Sequence, residues 1–156
     1  MAELKPIVLE RLTQARHFYT NDFNALSHDQ LATSPGGKAR SGYDFTFEVI
    51  TVNNRIATQL KGEDPGEWPF GDDWATCPAE DQDKEQLLAQ FHASVDQLVT
   101  LTESMPDDKL EASFMSGERE TSFAKMGLFA GLHMMYHCAQ LSYIQAIHGD
   151  EKFHWM

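Results

Sequence analysis

Apolar residues recur at three- and four-residue spacing through four long stretches of this chain, and that period predicts α-helices. The first stretch covers about residues 6–26, with Ile7, Leu9, Leu12, Ala15, Phe18, Tyr19, Phe23 and Leu26 as its apolar positions. Pro6 suits a first helical turn, where a missing N–H costs nothing. Asp22 and Asn24 are expected to loosen the last turn, a short turn follows at 27–31, and Ser34-Pro35-Gly36-Gly37 marks a break. The second stretch begins near Ser41, a suitable N-cap, and carries Phe45, Val49, Val52, Ile56 and Leu60 as a single stripe ended by Gly62. The third starts around Pro78 or Ala79, with Asp81, Asp83 and Glu85 placed to meet the positive end of a helix dipole. Its inner face is Leu87, Leu88, Phe91, Val95, Leu98 and Thr102, and Pro106 ends it. The fourth covers about residues 121–147, and Gly149 stops it.

Between these stretches the pattern breaks down. Residues 63–73 hold two Pro, two Gly and Trp68, and with Phe70 and Trp74 they predict a packed loop, because large aromatics are costly to leave in water. Residues 107–120 are polar, with Phe114 and Met115 as expected buried anchors, in a short hairpin or an irregular loop. No apolar run suits a central strand. The fold class predicted is all-α, a four-helix bundle with long connecting loops, formed by residues 1–156 as one domain.

Charge narrows the possible partners. The chain has 156 residues, with 24 acidic and 12 basic side chains and a net charge of −12. A phosphate-backbone binder needs a basic face, and an anionic membrane surface also attracts cations, so neither nucleic acid nor membrane is an expected partner. No leader pattern and no apolar run of membrane-spanning length is present, which predicts a cytoplasmic protein. Cys77 and Cys138 form no CxxC pair and are expected as reduced thiols.

The fourth stretch carries the chemistry. His133 and His137 lie four residues apart, within about 40° on a helical wheel, and interrupt an apolar stripe that includes Met126, Ala130 and Ile144. Imidazoles at this spacing converge on one metal ion, or form a buried polar pair that needs other partners. A second apolar face holds Leu128, Leu132, Met135, Ala139 and Tyr143, as expected of a helix that is central or buried in a homodimer. A strip of Gly127, Gly131, Cys138 and Ser142 between the two faces permits close helix approach.

On the second helix Glu48 borders the buried stripe and Asp44 lies further out. Each is a candidate third ligand, or else a flank residue paired with Arg40 or Arg55. Two imidazoles and a carboxylate would leave an open coordination position, as in exchangeable or catalytic sites. That donor set suits Zn, Ni, Fe or Mn without choosing between them. Tyr136 and Gln140 are near enough to orient groups. His17, His28, His92, His148 and His154 read as surface or packing residues, and Trp155 is expected to dock. GxSxG, GxGxxG and GxxxxGK[ST] elements are absent.

The run Gly131-Leu132-His133-Met134-Met135-Tyr136-His137-Cys138-Ala139-Gln140-Leu141, together with residues 41–49 and Val52-Asn53, resembles the DinB-like superfamily of four-helix proteins. The helix order and sizes extend the likeness over nearly the whole chain. The resemblance implies a central metal site, commonly of three histidines, two of them matching His133 and His137. The third belongs on the second helix, where this chain has Asp44 and Glu48 instead, with Glu48 the favoured replacement. It also implies homodimers and, among members of known activity, thiol-dependent transfer to a small electrophile or isomerisation. The contrasting expectation is a non-catalytic binding or dimerisation bundle whose metal site is degenerate.

Overall fold

The computed structural model describes residues 3–156. Helix α1 spans Leu4–Ala25, α2 His28–Ala32, α3 Gly42–Leu60, α4 Lys84–Ser104, α5 Asp107–Glu111 and α6 Phe123–Ile147. Strands β1 (Phe114–Ser116) and β2 (Arg119–Thr121) form a small antiparallel hairpin. The four long helices make the bundle, and among the described residues no helix is long and apolar enough to cross a membrane.

Each long helix packs mainly on two others: α1 on α4 and α6, and α3 on α4 and α6. So α1 lies diagonally from α3, and α4 from α6. The two connections that cross a diagonal must be long, and they hold α2 and the α5–hairpin unit. The α3–α4 link joins neighbours, yet is also long. Arg55 organises it by donating from its guanidinium to the carbonyls of Pro65, Gly66 and Glu67 at 2.7–2.9 Å. Phe70 packs edge-on to Phe47, and Trp68 edge-on to Phe70, as a packed loop requires. Trp74 departs from that expectation: it is 68% exposed, and the Arg40 guanidinium lies 4.5 Å from its ring centre.

Caps fix the helix starts. Ser41 caps α3 in a reciprocal box with Asp44, and Ser122 caps α6. The predicted start of the third helix is corrected. Ala79–Asp81 forms a 3-10 turn, and the α-helix begins after Asp83, whose carboxylate accepts from Gln86 N–H. Residues 28–32, expected as a turn, form a short helix with its own Ser27–Gln30 box.

Burial follows the helical period with informative exceptions. On α1 the inward position is Val8, and Ile7 is 41% exposed. Asp22, expected to loosen the helix end, is instead buried within it. Its carboxylate accepts from the Cys138 thiol (3.0 Å), Gln145 Nε2 (3.1 Å) and Trp155 Nε1 (2.8 Å). Trp155 therefore docks as expected, stacked on Phe18 with ring centres 4.4 Å apart. Both cysteines are free and buried. Burial pushes the Cys77 thiol up to about 11, with the charges of Asp44, Asp81 and Glu80 adding to it. Burial also raises the Cys138 thiol, with the Asp22 hydrogen bond adding to it.

Met115 is not the buried anchor the sequence suggested. The hairpin register pairs Phe114 with Thr121, Met115 with Glu120 and Ser116 with Arg119. Alternation across the strand turns Met115 outward with Glu120, while Phe114 packs on Phe123.

The small-residue strip of α6 faces α1 at Gly127, Gly131 and Cys138, while Ser142 is exposed. A Cβ on Gly127 would lie 2.6 Å from Val8 Cγ1, and one on Gly131 would lie 2.5 Å from Arg11 Cγ. The two obstacles differ in kind: Val8 is buried and β-branched, whereas Arg11 is an exposed, flexible chain. Gly127→Ala should therefore lower stability by about 1 kcal/mol, overpacking outweighing the gain in helix propensity. Gly131→Ala should cost less than Gly127→Ala, because the exposed Arg11 can turn to another rotamer from Cγ outward while the helix gains propensity. Urea-unfolding midpoints of the two variants test the contrast.

Candidate metal centre

The site lies on the seam between α3 and α6. His133 and His137 stand one turn apart on α6, and Glu48 meets them from α3. Nε2 of His133 is 3.2 Å from Nε2 of His137 and 3.3 Å from Glu48 Oε1, and His137 Nε2 is 3.5 Å from the same oxygen. The His137 side chain is fully buried, and those of His133 and Glu48 are 13% exposed.

Surrounding groups orient the donors. His137 Nδ1 donates to Gln140 Oε1 at 2.6 Å, so the Nε2 lone pair points at the cluster. The Phe45 ring stacks on His137 at 5.3 Å between centres, Phe129 stacks on His133 at 5.9 Å, and Tyr136 lies edge-on to His137 at 4.9 Å. His133 Nδ1 is buried without a hydrogen-bond partner.

Glu48 has partners on both oxygens. Oε1 faces the imidazoles and Oε2 pairs with Arg40 Nη1. Arg40 also donates to Ala75 O at 3.3 Å and lies between the Phe45 and Trp74 rings. Burial alone would raise the Glu48 pKa. The hydrogen bonds to His133, His137 and Arg40 outweigh it and hold the carboxyl well below its ordinary value of 4.5. Glu48 is thus a carboxylate at neutral pH.

Asp44 does not join the cluster. Its Oδ2 accepts from Ser41 N–H (2.9 Å) and Ser41 Oγ–H (2.8 Å), and its Oδ1 accepts from Cys77 N–H (2.8 Å). It caps α3 and ties the long loop to that helix. Of the two candidate carboxylates, only Glu48 meets both histidines.

Arg40 is the partner that sequence reasoning placed only as an alternative. It precedes the α3 cap, so no helical wheel assigns it a face. The available signal was its position one residue before a capping Ser and eight before Glu48. His154 pairs with Asp150 at 2.8 Å and His28 with Tyr43 at 2.7 Å, as packing residues do.

The fit to a metal can be judged from the donor triangle. Metal–ligand bonds of about 2.0–2.1 Å at tetrahedral angles place neighbouring donors about 3.3–3.4 Å apart. The observed edges of 3.2, 3.3 and 3.5 Å match one face of such a tetrahedron. A hollow of about 470 Å³, whose lining includes Phe45, Tyr136, Gln140 and Tyr143, adjoins His137.

No family model matches the chain, and no curated protein matches it. It is similar in structure to a conserved protein from Enterococcus faecalis, with a TM-score of 0.73 over 94% of this chain and 98% of that one. At 14% identity, that likeness shows the fold, an all-α bundle.

Glu48→Gln leaves Arg40 without its charge partner and should cost about 2–3 kcal/mol at pH 7. The sign of the pH dependence follows from the depressed pKa. The carboxylate's contribution is complete above the ordinary value and is lost only as pH falls through the lower folded value. Urea-unfolding curves of wild type and Glu48→Gln should remain separated at pH 5 and converge only in stronger acid.

Proposed function

We propose that this chain is a metal-dependent enzyme of the DinB-like type, with His133, His137 and Glu48 as its metal ligands. The donor triangle carries the reading: two imidazoles and a carboxylate converge with edges that an ion with nitrogen and oxygen ligands accepts. Zn, Ni, Fe and Mn all suit the donor set. A divalent ion in such a place supplies Lewis acidity, which lowers the pKa of a thiol or water. With three protein ligands, one position is left for that reactant. The reaction class that fits is thiol-dependent transfer to a small electrophile.

The chain's own groups have definite parts in this reading. Gln140 fixes the His137 tautomer and so aims its lone pair. Arg40 keeps Glu48 ionised and restrains its second oxygen, acting as a positioning residue. Phe45 and Tyr136 wall the hollow beside His137 and limit water there. The mostly apolar lining suits the uncharged part of a small electrophile.

A second reading has its own observation in support. Both Glu48 oxygens already have protein partners, so the cluster is satisfied as a polar network except at His133 Nδ1. A bundle using it only for specificity would be a binding or dimerisation module. For either reading we place a second copy of this chain on the outer face of α6. There Phe129, Leu132, Tyr136, Tyr143 and Ile147 are 49–71% exposed, and a second copy would close the outer side of the hollows that Phe129, Tyr136 and Tyr143 line. The spacing of these five side chains, three, four, seven and four residues, is that of a helix-pairing seam.

Metal analysis of tag-free protein tests the main reading. One divalent ion per chain is expected. It should be lost in His133→Ala/His137→Ala, weakened in Glu48→Gln by more than the roughly 10–100-fold that loss of an outer partner costs, and retained in Asp44→Asn. Substoichiometric metal that is unaffected by the histidine changes contradicts it. Sedimentation should show a dimer that Leu132→Lys/Tyr143→Lys converts to monomer, and a monomeric wild type would remove the dimer proposal.

A further inference from the structure

A second hollow, of about 350 Å³, lies on the other side of the histidines. Its apolar wall is Ile56 from α3 with Met126 and Phe129 from α6, and its polar rim includes Arg119 and Lys125. Phe129 is the residue it shares with the candidate metal centre, since the same ring stacks on His133.

Two unpaired cations share this hollow in an acidic chain. Lys5, Arg16 and Arg40 have carboxylate partners. Arg55 and Lys84 are spent on backbone carbonyls. Among the described residues, Arg119 and Lys125 have neither an ion pair nor a side-chain hydrogen bond; Lys38, Lys61, Lys109 and Lys152 also lack both, and what sets Arg119 and Lys125 apart is that both line this hollow. They come from different elements and meet at one hollow. The hairpin register puts Ser116, Arg119 and Thr121 on one strand face, and all three line it. Glu118 and Glu120 flank Arg119 in sequence, and alternation turns Glu120 to the opposite face.

Lys125 is also at the unfavourable end of its helix. It sits in the first turn of α6, where the helix dipole is positive and a cation is repelled. That turn contains no acidic residue to offset it. An anion bound there would meet Lys125, Arg119 and the dipole together.

We infer that this hollow binds a small amphipathic anion, its charged head between Arg119 and Lys125 and its apolar body along Ile56, Met126 and Phe129 toward His133. The inference rests on the reading of His133, His137 and Glu48 as the reactive centre, and it names the substrate class: a compound with an anionic group separated by an apolar span from its reacting atoms. Eight residues of helix separate Lys125 from His133, about 12 Å along the axis. Side-chain reach toward the ligand shortens that span to a medium-length hydrocarbon chain. The first hollow, beside His137, remains for the co-substrate.

Octanoate is the probe, with octanol and octylammonium as controls for the head group and octyl phosphate as the alternative anion. Calorimetric titration of tag-free protein, with and without bound metal, should show octanoate or octyl phosphate binding at least about tenfold tighter than either control. Whichever anion is tighter identifies the head. Arg119→Gln/Lys125→Gln should lose that advantage while keeping the wild-type metal content and urea midpoint, and Arg11→Gln should change nothing. The proposal is overturned if neither anion binds more tightly than octanol, or if the double variant binds them as wild type does. Loss of anion binding in His133→Ala/His137→Ala alone would also overturn it, because the head would then be on the metal, whose reading would stand. Binding through Arg119 and Lys125 in protein that takes up no metal would leave the anion site standing and remove the metal reading.

Discussion

Glu48 carries an ionised carboxylate into the seam between α3 and α6, and the groups around it are arranged to keep that charge. A buried anion is tolerated only when its partners replace the water it has lost. Here Arg40 takes one oxygen and two imidazoles face the other. The identity of each neighbour follows from this need. Arg40 is held between Phe45 and Trp74, and Gln140 fixes the His137 ring that Glu48 faces. Removing the carboxylate would leave a cation stranded and two imidazole nitrogens facing each other.

The bundle supplies the framework for this arrangement. Because α3 and α6 are neighbours, one turn of each can bring three donors together. The long link after α3 is part of the site, because it delivers Ala75 to Arg40 and Cys77 N–H to Asp44. Asp44 and Glu48, one turn apart, thus divide the work: the first anchors the loop and the second faces the histidines. The same seam has an apolar hollow at one end and a cationic one at the other. This polarity gives a ligand a direction relative to the reactive centre.

The parts of this account that were legible in sequence are those set by helical period. His133 and His137 announce themselves by four-residue spacing within an apolar stripe, and the wheel ranks Glu48 inward of Asp44. The four long helices, their caps at Ser41 and their stop at Gly149 follow from the same local rules. What was missed lies where period carries no information. Arg40 sits before a cap, so its direction depends on where the loop beyond α3 returns. Arg119 depends on hairpin register, which also turns Met115 outward. Ile7 is the exception, a misplacement on the stripe that the period itself corrects: Val8, four residues before Leu12 and seven before Ala15, is the position turned inward, where it meets Gly127. Asp22 reads as a helix breaker until the tail returns Trp155 to it.

The choice between a metal centre and a closed polar network comes down to what lies among three atoms. Both arrangements suit separations near 3.3 Å, but they make opposite demands on protons. A network needs a hydrogen between the two Nε2 atoms, whereas an ion needs both lone pairs. Anomalous diffraction from crystals grown with one equivalent of Zn, Ni, Fe or Mn distinguishes them directly. The account predicts a single strong peak about 2.0–2.2 Å from Nε2 of His133, Nε2 of His137 and an oxygen of Glu48. Crystals without such a peak, with the imidazoles bonded only to each other and to Glu48, would contradict it.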